Sequence, residues 1–351
     1  MKKLLTLFAA SLLCFLAHSQ EAEGNGSYAD FHLIPRIEFN PYFTPGQTGD
    51  GSSGRSLGNS NIYTLIEGAF SDHVSFVLNN HWLSATNPGW GDSAALYKNR
   101  FHSNASNWVD LAYFDFNFGN WTFTVGKDCI MSGGFEYDAY DVDVDYLLTS
   151  PDQKVLLASN LWYNLPGYQW GAKVAYNIGE HTTFALQMVT SPFGERPFAS
   201  GIFSYSAKWA GNYGPVSNIW TASAIQKPDR SFDWLFALAQ QVELGAFTLG
   251  FDWYNLSDVD YDDDDSPCGL LPGNTFRPSL GFAPLDWFDC KLVSNIYTEP
   301  GSGISDVNVG AAFHFFPLKS IQLHTAFGWD MVTKTVSANI GAKVDFTFLS
   351  L

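Results

Sequence analysis

Five carboxylates fall close together between Cys129 and Ser150: Glu136, Asp138, Asp141, Asp143 and Asp145, in a stretch with no Lys or Arg. Carboxylates gathered at a narrow point attract cations and raise their local concentration, because low-dielectric walls focus the field. For Glu136 and Asp138 an exposed acidic loop is an equal reading. Asp141, Asp143 and Asp145 alternate with Val142, Val144 and Tyr146, which turns the three acids to one side of an extended chain. A second acidic run covers 258–265. Asp258, Asp260, Asp262 and Asp264 offer oxygens for diffuse divalent-cation binding, but the Gly at the sixth position and the closing Glu of a calcium loop are missing. No His stands at a spacing that identifies a Ser-His pair or a metal site, so no catalytic residue, resident metal or cofactor is expected.

Groups that act on a passing ion need walls to hold them. What fills the chain after residue 20 is alternation of period two, in segments of about ten residues broken by turn residues. Trp170, Ala172, Val174, Tyr176 and Ile178 share one face, while Gln169, Gly171, Lys173, Ala175 and Asn177 share the other. Near the C-terminus Val336, Ala338, Ile340 and Ala342 oppose Ser337, Asn339, Gly341 and Lys343. A soluble sandwich would fill its polar face with Lys and Glu; here that face is Gly, Ser, Thr, Asn and Gln. The apolar face carries aromatic residues near strand ends, among them Trp121, Trp170, Trp209, Trp253 and Trp329, where an interfacial girdle belongs. Backbone amides inside a bilayer must be satisfied within the sheet, so the sheet must close.

The expectation is an all-β, closed antiparallel transmembrane β-barrel of 16–18 strands forming one unit over 20–351. Strands counted along the chain include 154–164. Two more, at 140–149 and 274–283, restore the rhythm of short turns and long loops, although Pro278 weakens the last. A barrel of this size leaves an aqueous lumen. Parity assigns to its lining Arg36, Glu38, Lys173, Lys208, Asp252, Asp289, Lys291, His314, His324, Lys343 and Asp345, and places the carboxylates of 129–150 at the constriction.

Composition agrees. The 351 residues hold 18 Lys and Arg against 35 Asp and Glu, a net charge of −17, with 17% aromatic and 15% charged residues. That is too aromatic for a disordered chain and too acidic, with scattered Lys and Arg, for nucleic acid. Residues 1–19 read as a signal peptide: Lys2 and Lys3, an apolar run from Leu4 to Leu16, then Ala17-His18-Ser19. Cleavage would leave 16 basic residues against 35 acidic, a charge of −19. Cys129, Cys268 and Cys290 form an odd set, with a Cys268 to Cys290 bridge one option.

Val125-Gly126-Lys127 closing a strand, then Gly133-Gly134-Phe135-Glu136, then Leu148-Thr149-Ser150-Pro151, resembles the corresponding stretch of the phosphate-selective porins of Gram-negative outer membranes. The resemblance implies a 16-stranded, usually trimeric, passive channel with an inward-folded loop. Phosphate selectivity in that family depends on Arg and Lys ladders down the lumen, whereas Arg36, Arg55, Arg100, Arg196, Arg230 and Arg277 are dispersed. The expectation is therefore an outer-membrane porin for small hydrophilic solutes, neutral or cationic, with the lipid bilayer and lipopolysaccharide as partners and a homotrimer as its assembly. Two alternatives stay open. One is a carbohydrate-selective channel, for which Tyr254 and Trp287 fall on the lumen face; the other is a structural or adhesive barrel with a plugged lumen and functional outer loops.

Overall fold

A computed structural model describes residues 27–45, 52–57, 60–84, 109–138, 145–148, 155–159, 161, 165, 167–194, 200–257 and 272–351. The signal segment at 1–19, Asp141, Asp143, the acidic run from Asp258 and Cys268 lie outside these residues. The strands, in chain order, are β1 (Tyr28–Thr44), β2 (Ser52–Ser56), β3 (Asn61–Ser71), β4 (Val74–Ser84), β5 (Val109–Phe118) and β6 (Trp121–Cys129). A single helical turn, α1 (Phe135–Asp138), follows, with the two-residue strands β7 (Leu147–Leu148) and β8 (Val155–Leu156). Then come β9 (Tyr168–Ile178), β10 (Thr182–Thr190), β11 (Phe203–Tyr213), β12 (Val216–Gln226), β13 (Phe232–Leu244) and β14 (Phe247–Leu256). The last six are β15 (Gly273–Leu285), β16 (Phe288–Glu299), β17 (Gly303–Leu318), β18 (Ile321–Asp330), β19 (Val336–Val344) and β20 (Phe346–Ser350).

Each long strand pairs antiparallel with its neighbour, and β1 closes the ring by pairing β3 on one side and β19 and β20 on the other. β19 and β20 are two halves of one strand, so the result is a closed 16-stranded barrel, with β2 an extra rung on β1 and β7–β8 a separate hairpin. The break at Asp345 has a cause opposite it. Pro35 has no N–H to donate, and the β1 pairing passes from Leu33–Phe346 to Arg36–Lys343 without it. Pro41 opens a second gap, which the Asn40 amide fills by donating to Ser337 Oγ at 2.8 Å and the Ala338 carbonyl at 2.7 Å. At one end the strands are joined by tight turns such as Gly214-Pro215 and Gly245-Ala246, whose glycines sit at φ of 68° and 65°. That left-handed backbone is one that side chains disfavour. The other end carries the long connections.

The two faces follow the alternation. On β13, Phe232, Trp234, Phe236 and Leu238 are exposed while Asp233, Leu235, Ala237 and Ala239 between them are buried. Exposed aromatic residues gather toward both rims, with Phe118, Trp121 and Phe247 at the turn end and Tyr205, Trp234 and Trp329 at the loop end. This belt is the surface a bilayer requires of a closed sheet. The count falls at the lower bound of the sequence expectation. The segment at 274–283 is a strand, and the ladder skips Pro278 on its β16 side, between Phe276–Ile296 and Ser279–Val293. Within 140–149 and 154–164, the described residues 145–148, 155–159 and 161 do not belong to barrel strands. Alternation there distinguishes two sides of an extended segment lying against the inner wall, a pattern that looks locally like a strand.

Candidate functional site

The described parts of the connection from β6 to β9 lie inside the barrel, against its inner wall. At its start Met131 N–H donates to Gln187 Oε1 at 2.8 Å, the Gln187 amide donates to the Cys129 carbonyl at 2.8 Å, and Ser223 Oγ donates to the Met131 carbonyl at 3.1 Å. Gly134 passes so close to β13 and β14 that a Cβ there would lie 2.5 Å from Ala239 Cβ. The Glu136 N–H donates to Asp252 Oδ2 at 3.0 Å. Beyond α1 the β7–β8 hairpin reaches the far wall. There Leu147, Leu156 and Leu157 are fully buried with Ala312 and Ala326, over a surface made flat by Gly310 and Gly328. The return limb brings Leu161 and Leu165 into an apolar cluster with Ile130, Val189, Ile225, Leu235, Tyr254 and Leu256. Each buried leucine contributes about 1.5–3 kcal/mol.

Two charge clusters clamp this segment. Glu136, wholly buried, has Oε1 3.2 Å from Arg277 Nε and accepts the Ser159 N–H at 2.7 Å. Arg277 also donates from Nη2 to the Leu157 carbonyl at 3.2 Å, so one guanidinium ties the outgoing limb to the returning one. Tyr254 Oη completes the first cluster by donating to Asp252 Oδ2 at 3.0 Å. In the second cluster His314 lies between two carboxylates, Nε2 2.8 Å from Asp145 Oδ1 and Nδ1 2.7 Å from Asp289 Oδ1. Lys291 Nζ stands 3.8 Å from the other Asp145 oxygen. Asp145 is outside the strands. Burial opposes its ionisation, but the His314 hydrogen bond with Lys291 and Arg277 nearby outweighs it and holds the carboxyl below its usual range.

The remaining inward positions are spread around the wall. Arg36 and Glu38 are buried on β1, and Glu38 Oε2 lies 3.2 Å from Nε2 of the buried His324 on β18. Lys173 pairs with Asp128 at 2.5 Å and lies 5.9 Å above the Tyr113 ring. Lys208 and Lys343 are part-buried on β11 and β19. Asp345, at the break between β19 and β20, accepts from His32 Nδ1 at 2.8 Å, with Glu67 3.9 Å from the other ring nitrogen. Of the five carboxylates in 129–150, the structure brings Glu136 and Asp145 onto the inner wall and puts Asp138 at the end of α1.

Sequence reasoning passed over Arg277 as a site residue, although Thr275, Arg277 and Ser279 share a face against Phe276, Pro278 and Leu280; Pro278 obscured that alternation. It also passed over Asp128, which continues the face of Thr122 and Thr124. One reading needs correction. Trp287 is exposed in the turn between β15 and β16, away from the lumen, because the turn residues leave the strand alternation. Cys290 carries a free thiol near the turn end of β16, and Cys268, the other half of the bridge considered from sequence, lies outside the described residues. Gly54-Arg55-Ser56-Leu57-Gly58 has the spacing of a nucleophile elbow, but Ser56 belongs to β2, a rung paired to β1, where an elbow needs a strand-turn-helix.

No protein-family model and no curated protein matches the chain. Solved structures do. The anion-selective porin from Comamonas acidovorans superposes with a TM-score of 0.61 at 10% identity, covering 91% of this chain and 100% of that one. A mutant porin of Rh. blastica gives 0.58 at 13% identity with 91% and 100% covered. The OmpT outer membrane protein of Vibrio cholerae, with its loop L8 deleted, gives 0.54 at 12% with 91% and 99% covered. At these identities the likeness is one of fold, and the fold this chain shares is that of the porins.

Proposed function

We propose that this protein is an outer-membrane porin, a passive diffusion channel for small hydrophilic solutes whose aperture is set by the segment between β6 and β9. One observation carries the reading: that segment lies inside the barrel, bonded to strands from β10 to β19, where it narrows the conduit without closing the sheet's own ring. The tight turns then face the periplasm and the long connections the outside. The fold shared with solved porins supports the same assignment.

For selectivity the proposal is neutral solutes and cations. Among the described residues nine buried carboxylates face three buried Lys and Arg side chains, which sets a negative field along the wall. Glu136 and Asp145 are partly neutralised by Arg277, Lys291 and His314, so the constriction's own share of that field falls to Asp138, Asp141 and Asp143. Phosphate preference, carried by the family resemblance, lacks its ladder of basic residues. Planar-bilayer recording tests all of this. The expectation is ohmic single-channel steps and a reversal potential shifted toward cations in a salt gradient. Absent steps would mean a plugged structural barrel, block by oligosaccharide a sugar channel, and an anion-directed shift would overturn the selectivity. A homotrimer, the assembly the resemblance implies, is tested by mass measurement of the detergent-solubilised protein.

A further inference from the structure

One row of the inner wall runs across β3, β1, β19 and β18. Register places Asn61 opposite Arg36, Arg36 opposite Lys343, and Lys343 opposite Gln322. Residues directly opposite in an antiparallel pair share a face, so the four side chains stand side by side at one height of the lumen, at steps of about 4.8 Å. Arg36, Asn61 and Gln322 are 5%, 7% and 5% exposed, while Lys343 and nearby Gly341 are partly open. Two cations placed directly opposite each other repel. The acid two residues along β1, Glu38, is turned to a different partner: His324 crosses β19 to bring Nε2 3.2 Å from Glu38 Oε2, over Gly341, where a Cβ would lie 2.4 Å from that nitrogen. Each end of the row carries a buried polar atom with no hydrogen-bond partner among the described residues, the donor Gln322 Nε2 on β18 and the acceptor Asn61 Oδ1 on β3. The Asn61 amide nitrogen donates to Tyr63 Oη at 2.8 Å, which leaves the oxygen as the open position at that end. A buried donor or acceptor without a partner is costly, and a ligand that supplies the missing bond recovers that cost.

The row therefore has a direction: donors, two of them charged, from β18 to β1, and an acceptor at β3. A molecule with a carboxylate at one end and an ammonium at the other matches that order. We propose that Asn61, Arg36, Lys343 and Gln322 form a lumenal subsite for a small zwitterionic solute of the amino-acid class, its carboxylate on Arg36, Lys343 and Gln322 and its ammonium on Asn61 Oδ1. A guanidinium fork beside an ammonium suits the two oxygens of a carboxylate. The inference rests on the porin reading and names a solute class within it. A zwitterion has no net charge, so the negative field of the wall admits it, whereas that field opposes a free anion such as inorganic phosphate. Phosphate also brings no ammonium to Asn61.

The test is solute influx into proteoliposomes holding the mature barrel, with glycine and its uncharged isomer glycolamide, read as initial rate against concentration. The native barrel is expected to pass glycolamide in proportion to its concentration and glycine with saturation. Lys343→Met and Asn61→Leu should each raise the half-saturating concentration of glycine about tenfold. Both should leave glycolamide influx as it was, which also shows that the barrel is folded and open. Asn61→Asp keeps the acceptor and should keep the saturation, so the β3 end stays testable where Asn61→Leu fails to insert. Glycine influx that never saturates, or that saturates alike in the native chain and both variants, would overturn the subsite. A loss confined to Lys343→Met would reduce it to a carboxylate contact and overturn the zwitterion assignment. Inorganic phosphate inhibiting glycine influx as strongly as glycine itself saturates it would do the same, by making the row a plain anion site. Glycolamide entry without glycine saturation sinks the subsite alone, and a barrel that admits neither solute overturns the porin reading and the subsite with it.

Discussion

Removing Arg277 is the sharpest test of what holds the inward segment in place. Arg277 and Glu136 are 3% and 0% exposed, and their charges approach to 3.2 Å. At an effective dielectric constant of about 20 the Coulomb attraction is about 5 kcal/mol, most of it offset by the cost of burying both groups. Deleting one partner is different from deleting both. Arg277→Met strands the Glu136 carboxylate, which keeps only the Ser159 N–H on Oε1, and also loses the donor to the Leu157 carbonyl. The cost is about 3–5 kcal/mol, borne by the segment and not by the β15 ladder, whose backbone pairing is untouched. The segment should therefore leave its seat while the barrel stays closed. Single-channel recording would show larger, noisier steps, and SDS gels would still show heat-modifiable migration. The double variant Glu136→Met with Arg277→Met should recover much of the native conductance, giving a coupling energy of about 2–3 kcal/mol in a double-mutant cycle. Native conductance in Arg277→Met with the barrel intact, or strictly additive effects, would refute the latch.

Further outcomes follow from the same geometry. A Cβ at Gly328 would lie 2.7 Å from Leu147 Cδ1 and 3.3 Å from Leu156 Cβ, so Gly328→Val should displace the hairpin and raise conductance, at about 1–3 kcal/mol from overpacking. Neutralising Asp141, Asp143 and Asp145 together to Asn should move the reversal potential toward zero; an unmoved value would remove them from the constriction. At Gly245 a Cβ would meet nothing within 4 Å, so Gly245→Ala should lower stability by about 1 kcal/mol through its φ of 65° alone, read as a small fall in the temperature of heat modification. Asp145 titrates below its usual range, so its stabilising contribution is fully present above about pH 4 and is lost as pH falls through its depressed value. Conductance should be constant from about pH 7 to pH 5 and change only below about pH 4. His314→Gln should bring the change to higher pH.

Much of the barrel was legible because a period of two is a local property. Trp234 and Leu235 are adjacent, and their opposite fates are written in the alternation around them. The sign of each face was legible too, since Gly, Ser, Thr and Asn are poor lipid-facing residues whatever lies opposite. What alternation does not contain is the identity of the surface a segment lies on. Residues 141–146 alternate as a wall strand would, yet 145–148 rest against β16–β19 from inside. Nor does it contain long-range pairing: nothing near Glu136 points to Arg277, and nothing near Asp145 to His314. The separation of Arg277 from a visible strand pattern was the work of Pro278, which breaks the β16 ladder at the residue that follows it.

β17 and β18 are thin on both faces, and parity keeps the two consequences apart. Gly310, Ala312, Ala326 and Gly328 turn inward and seat the leucines of the hairpin. Ala311 turns outward between Leu292 and Phe327. A substitution on one face therefore leaves the other face's contacts in place. Gly328→Val should change conductance, while Ala311→Trp should leave it as it was. If Ala311→Trp moved the conductance as well, the wall between lumen and bilayer would be yielding as a sheet, and neither effect could be assigned to the contact its side chain makes.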